Sequence, residues 1–241
     1  MSEKLNQLKQ ILGEVSDLNH AASVLSWDEQ VNMPPGGSEA RGQQLATLGK
    51  ILQEKFTSDE VGRLLEDLKK EYADVETDDG AMVRVAARNY EKAKLVPPSF
   101  IAEQAIVSSK AFEAWVEAKG KSDFSIFRPH LEKVVELVKK YVSFFPPADH
   151  PYDVLLDDFE PGMKTAEVRE IFGNLRPKQV KLLQAIAESK QVKNDFLHKK
   201  YNEQKLWGFS EKIISKFGYD FTRGRQDKAP HPFETTFNVN D

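Results

Sequence analysis

The 241-residue chain contains no cysteine. Disulfides, thiolate metal sites and a cysteine nucleophile are therefore excluded, and a reducing, cytoplasmic setting is the expectation. Histidine is scarce: the five are His20, His130, His150, His198 and His231, and no two lie within four residues of each other. A zincin site needs His-Glu-x-x-His, which sets two imidazoles one helical turn apart with a carboxylate base between them. That motif is absent. No Gly-x-Ser-x-Gly elbow is present, and Pro34-Pro35-Gly36-Gly37 lacks the lysine of a phosphate-binding loop. No apolar run approaches the ~18 residues of a membrane span, and the opening Met-Ser-Glu-Lys-Leu has no signal-peptide core. The net charge of −4 argues against a general nucleic-acid binder.

What the sequence has is helical period. Leu5, Leu8, Ile11, Leu12, Val15, Leu18, Ala22 and Leu25 recur at three and four residues, which predicts a helix that Pro34–Gly37 stops. Ser38 is placed to cap a second helix with a stripe at Leu45, Leu48, Ile51 and Leu52. Thr57 with Glu60 reads as a capping box ahead of Val61, Leu64, Leu65 and Leu68. Asp78-Asp79-Gly80 precedes a helix to about Leu95. Pro97-Pro98-Ser99 opens the next, and Ser122 or Asp123 a further one that ends at Pro146-Pro147. Residues 148–163 read as irregular, and a connection that long is often functional. Helices resume near Thr165, with Pro177 expected to kink or split the first, and again over Asn202–Phe217 with Gly218 beyond its end. Strand character is confined to Tyr219–Thr222 and Phe233–Val239. The expected fold is mainly α: one helical body over residues 1–241, with a small β element within 219–241.

Several groupings are candidates for chemistry. Residues 53–80 hold ten acidic and four basic side chains, and residues 190–228 ten basic and five acidic; solvated helix faces account for both. Asp17/His20 and Asp195/His198 have the i, i+3 spacing of di-metal bundles, but those sites use glutamate, one carbon longer. Trp27-Asp28 reads as core or groove lining. Asp157, Asp158 and Glu160 form an acidic trio on a loop, read as caps or ion pairs. Arg223 and Arg225 beside Asp227 form an ion-pair set or one wall of an anionic-substrate site. His231 lies between Pro230 and Pro232, whose rings restrict the backbone on both sides, as suits a preorganised hydrogen-bond donor. The final residues, from His231 to Asp241, read as extended and end without turn or cap, so a chain cut after Asp241 is the expectation.

Three stretches resemble the M32 metallocarboxypeptidases of the thermostable carboxypeptidase Taq type. They are Ser26–Arg41 with its Trp-Asp and Met-Pro-Pro-Gly-Gly, Tyr152–Met163, and Gly224-Arg225-Gln226-Asp227 followed by His231-Pro232-Phe233. Asp241 falls where that family's Asp-x-Arg-x-Thr begins. The resemblance implies the N-terminal half of a peptidase that removes C-terminal residues from peptides, with a divalent metal (zinc or cobalt) activating water. It implies long antiparallel helices forming one wall of a groove, and a homodimer. His231, Phe233, Arg225 and Asp241 would line the substrate groove. The family's His-Glu-x-x-His lies downstream of Asp-x-Arg-x-Thr, so no catalytic residue, metal ligand or bound cofactor is expected within these 241 residues. A different helical zinc oligopeptidase and a non-catalytic helical interaction module are the alternatives.

Overall fold

The structure is a computed structural model that describes residues 2–237. The chain divides into two compact units, Met1–Pro146 with Asp227–Asp241, and Pro147–Gln226.

The described residues of the first unit form six α-helices, α1 (Glu3–Val31), α2 (Ser38–Phe56), α3 (Asp59–Tyr72), α4 (Asp78–Lys94), α5 (Pro98–Lys121) and α6 (Phe124–Val142), with a short 3-10 turn at Pro35–Gly37 between the first two. Four of them start at short polar side chains that accept from otherwise unpaired backbone N–H groups: Ser2 for α1, Ser58 for α3, Thr77 for α4 and Asp123 for α6. Two expected caps fall elsewhere. Thr57 belongs to the end of α2, where its hydroxyl donates to the Gln53 carbonyl at 2.7 Å. Ser38 is already inside α2, and its hydroxyl donates to Glu113 Oε2 of α5 at 2.5 Å. At the other boundary Ser122 adopts the left-handed conformation (φ 53°) that closes α5.

The apolar stripes meet in one main cluster. Leu5 and Leu8 of α1 pack with Val61, Leu64, Leu65 and Leu68 of α3 and with Val83, Ala86, Ala87 and Tyr90 of α4. Leu5, Leu8, Val61, Leu68 and Val83 are fully buried. Gly62 lets α3 come close to α4: a Cβ there would sit 2.4 Å from Tyr90 Oη. α2 lies along α5 through small residues, since a Cβ on Gly42 would lie only 3.4 Å from the Ile106 backbone. Gln53 links α2 to the end of α4 by donating to the Ala93 and Val96 carbonyls at 2.6 and 3.0 Å, satisfying acceptors at and just beyond the helix terminus. A smaller cluster joins Val96, Phe100 and Leu137, with Tyr141 and Phe144 against it.

The second unit holds α7 (Tyr152–Leu156), α8 (Thr165–Glu188) and α9 (Glu203–Lys216), with a short 3-10 turn at Asp195–His198. α7 falls within the stretch expected to be irregular. Pro177 does not split α8, which is one element through that position. The link from α7 to α8 is polar. Asp153 Oδ1, on a side chain only 4% exposed, accepts from the Thr165 N–H at 2.8 Å and from its hydroxyl at 2.5 Å. Of this unit's described residues only Asp153, Val154 and Thr165 are buried.

The expected β element is corrected: no strand occurs among the described residues. Tyr219–Thr222 leads into a turn instead. Asp220 Oδ1 accepts from the Thr222 N–H at 2.8 Å and its hydroxyl at 2.7 Å, the local side-chain bonding that competes with a sheet ladder. Residues 233–237 form no ladder, and Val239 lies outside the described residues. Alternating side chains favour a strand only where a neighbouring strand takes the backbone donors and acceptors, and Pro230 and Pro232 supply no N–H for such pairing.

Candidate functional site

The His231 region takes its geometry from two helices of the first unit. α5 carries Trp115 and Lys119, one helical turn apart, facing the segment around Pro230. Lys119 Nζ lies 5.0 Å from the Trp115 ring centroid and donates to the Pro230 carbonyl. The imidazole of His231 meets the Trp115 ring at 6.2 Å in an edge-on arrangement. Six residues on, the Phe237 ring meets Trp27 of α1 edge-on, also at 6.2 Å. The segment carrying His-Pro-Phe is therefore tied to one tryptophan at each end.

The Trp27 end is braced by an ion pair. Arg41 of α2 binds Asp28 Oδ2 at 2.6 Å and also donates to the Leu25 carbonyl, so one guanidinium joins the last turns of α1 to the start of α2. The hydrogen bond from Arg41 holds the Asp28 carboxyl below its ordinary range. Asp28, charged and engaged, is suited to holding the Trp27 end of α1 in place rather than to moving protons.

The ring of His231 has a defined use for one nitrogen. Nδ1 lies 2.7 Å from the Pro232 carbonyl oxygen. A carbonyl only accepts, so Nδ1 carries the hydrogen, and Nε2 of this exposed residue is left for another partner. In the neutral ring Nε2 is an acceptor. The donor role expected from sequence therefore requires the imidazolium form at Nε2.

Phe233 lies two residues beyond His231 and is exposed. Arg225 belongs to the second unit, where its backbone carbonyl accepts from Tyr219 Oη at 3.3 Å. Asp241 lies outside the described residues. Arg223, expected beside Asp227, has an ion pair with Asp220 at 3.6 Å. Asp157 of the acidic trio accepts from the Gly162 N–H at 2.8 Å, a loop-closing role. Sequence spacing marks Trp115 and Lys119 only as ordinary helix positions. Their i, i+4 relation is the one available signal, because an aromatic ring and a lysine so spaced share a helix face.

Among the described residues no group of three or more His, Asp or Glu is arranged to hold a metal ion. Glu29 Oε1 is buried without a hydrogen-bond partner, yet a single carboxylate oxygen is not a ligand set.

The comparisons with known proteins place the chain in a class, that of the M32 metallopeptidases. The family model described as Carboxypeptidase Taq (M32) metallopeptidase matches residues 7–241, and the chain belongs to that family. It is 34% identical over 232 residues to Carboxypeptidase 1 of Bacillus subtilis (strain 168), covering 96% of this chain and 46% of that protein. It is 35% identical over 240 residues to Thermostable carboxypeptidase 1 of Pyrococcus furiosus, covering 97% and 48%. The solved structure named BsuCP superposes with a TM-score of 0.91 at 33% identity, covering 98% of this chain and 48% of that one. The chain thus spans about half the length of the curated relatives it matches. Among the described residues no helix is long and apolar enough to cross a membrane.

Proposed function

We propose that this chain forms the N-terminal portion of a metal-dependent carboxypeptidase that removes C-terminal residues from peptides, and that it is inactive alone. The observation that carries this reading is the family match, which runs through both units to residue 241. His-Glu-x-x-His does not occur in the 241 residues. The metal ligands, the general base and the divalent ion itself, zinc or cobalt, are therefore assigned to the half of the relatives that this chain does not cover. One helical body contributing one wall of a peptide groove, a cytoplasmic location, a homodimer and no nucleic-acid partner complete the reading.

Within that wall His231 and Phe233 lie on the segment tied to Trp115 and Trp27. Arg225 and Asp241 join them as proposed groove residues. Nε2 of His231 is the atom proposed to meet the substrate, with Nδ1 fixed by the Pro232 carbonyl. An interaction made mainly in the transition state lowers kcat when it is lost, whereas loss of one made equally in the ground state raises KM alone.

The test is amino-acid release from an N-blocked dipeptide in the presence of Co²⁺. The 241-residue chain should show none above background, and a full-length form should show release that a chelator abolishes. In the full-length form His231→Ala should lose at least about tenfold in kcat/KM with metal content unchanged. Unaltered kcat/KM with a lowered melting temperature would leave His231 as a structural residue only.

A further inference from the structure

Among the described residues no helix or strand includes 227–237. The direction of the exposed His231 ring is therefore set by torsions within that segment and by what meets it from outside. The prolines settle part of it. Each fixes its own φ, and Pro232 drives the His231 backbone toward extended geometry. The freedoms that still turn the imidazole include ψ of Pro230, which swings the peptide joining it to His231, and the two side-chain torsions of His231. Each of these has a holder. Lys119 donates to the Pro230 carbonyl, whose direction that ψ sets. The Pro232 carbonyl takes the hydrogen on Nδ1 at 2.7 Å, and the Trp115 ring meets the imidazole edge-on at 6.2 Å. Both outside holders stand on α5, which is anchored by its buried Phe100, Ser109, Ala111, Ala114 and Ala118. The Phe112 ring lies 5.9 Å from that of Trp115, and Lys119 Nζ lies 5.0 Å from the Trp115 centroid, so the lysine is engaged by the ring as well as by the carbonyl.

We propose that Trp115 and Lys119 are positioning residues for His231: together they aim its Nε2 in one direction, toward the peptide substrate. The proposal rests on the carboxypeptidase reading above. A group carried on a segment without regular structure is held less precisely than one carried on a helix, and a misplacement of about 1 Å can cost about a hundredfold in rate. Clamping the segment to α5 lends His231 the precision of the helix. A lysine in the last turn of a helix has a second use, since it faces the negative end of the helix dipole. Lys121 serves that use equally and pairs with Glu117 within the same helix at 2.6 Å. Lys119 instead reaches a carbonyl 111 residues further along the chain, next to His231. The dipole role predicts no link between Lys119 and His231, and the positioning role requires one.

The experiment has two arms. In the 241-residue chain, NMR of the His231 ring, assigned by its loss in His231→Ala, reports the ring current of Trp115 and the hydrogen on Nδ1. Lys119→Met keeps the apolar stem over Trp115 and removes the ammonium, and Trp115→Leu removes the ring. Both should move the His231 signals toward those of free histidine, and Lys119→Arg should leave them in place. Lys119 is exposed, so its variants should keep the melting temperature even where Trp115→Leu lowers it. In the full-length form Lys119→Met should lower kcat for an N-blocked dipeptide at least about threefold, with KM and metal content unchanged. Lys119→Arg should recover most of that loss. In a His231→Ala background Lys119→Met should cost nothing more, because two residues acting through one group are not additive. Three results would overturn the proposal: His231 signals that neither Lys119→Met nor Trp115→Leu moves, an unchanged kcat in Lys119→Met, or a loss in Lys119→Met that is the same with and without His231. Wild-type full-length protein that shows no chelator-sensitive release sinks the carboxypeptidase reading instead, and the NMR arm then decides by itself whether Trp115 and Lys119 hold the ring.

Discussion

The two units contain helices of similar length yet are held by different forces. In the first, Leu5, Leu8, Val61, Leu68 and Val83 are removed from water completely, and three helices converge on them. In the second, the described residues bury little beyond Asp153, Val154 and Thr165, and the best-defined tertiary link is one carboxylate receiving two hydrogen bonds. Apolar burial is worth about 1.5–3 kcal/mol per large side chain, whereas a hydrogen bond contributes about 0.5–1.5 kcal/mol net. Helical period alone therefore says where a helix forms and not whether its apolar face is covered.

The largest expected effect tests that contrast directly. Leu68→Ala should cost about 2–5 kcal/mol, because it removes a fully buried side chain from the α1–α3–α4 cluster and leaves a cavity. Leu182→Ala in α8 removes the same atoms from an exposed site and should change stability by no more than about 0.5 kcal/mol. Urea unfolding of both variants measures the difference. Equal losses would erase the distinction between the units. A smaller effect comes from Gly62→Ala, which places a methyl 2.4 Å from Tyr90 Oη and forces α3 away from α4. Overpacking of this kind costs about 1–3 kcal/mol, and pairing it with Tyr90→Phe, which removes the clashing oxygen, should recover part of the loss in thermal melts.

Much of the first unit was legible because its signals are local. Proline pairs at Pro34-Pro35 and Pro97-Pro98 stop or start helices through their own geometry. Val61, Leu64, Leu65 and Leu68 make a stripe that only a helix aligns, and all four are buried on α3. The cap of α3 was legible only to within a residue. Ser58 rather than Thr57 fills it, because adjacent hydroxyls are chemically equivalent and only the turn decides between them. The β element failed for a different reason. A strand depends on a neighbour distant in sequence, and strand-forming residues at Tyr219–Thr222 could not outweigh an aspartate able to close its own turn. At the candidate site His231 stood out through its flanking prolines. Trp115 and Lys119 did not, because contact with Pro230 and His231 spans over a hundred residues and leaves no mark in local spacing.

The smallest expected effect concerns the polar latch of the second unit and its dependence on pH. The Thr165 hydroxyl and then the Thr165 N–H hold the Asp153 carboxyl below its ordinary value of 3.8. A carboxylate whose pKa is lowered on folding binds protons more readily when unfolded. Its contribution is therefore present above the unfolded value and is lost as pH falls through the folded one. The latch should be intact at neutral pH and should weaken only below about pH 3.8, the window set by that downward shift. Asp153→Asn keeps an acceptor oxygen facing Thr165 but carries no charge, so the Thr165 amide should exchange faster at neutral pH and lose the acid-specific component. Other carboxylates titrate in the same range, Asp28 among them, so the informative quantity is wild type minus variant. Protection of the Thr165 amide, followed by NMR hydrogen exchange and corrected for the intrinsic rate, supplies it. A difference that is constant with pH would show that Asp153 acts by shape alone, and the latch between α7 and α8 would then owe nothing to charge.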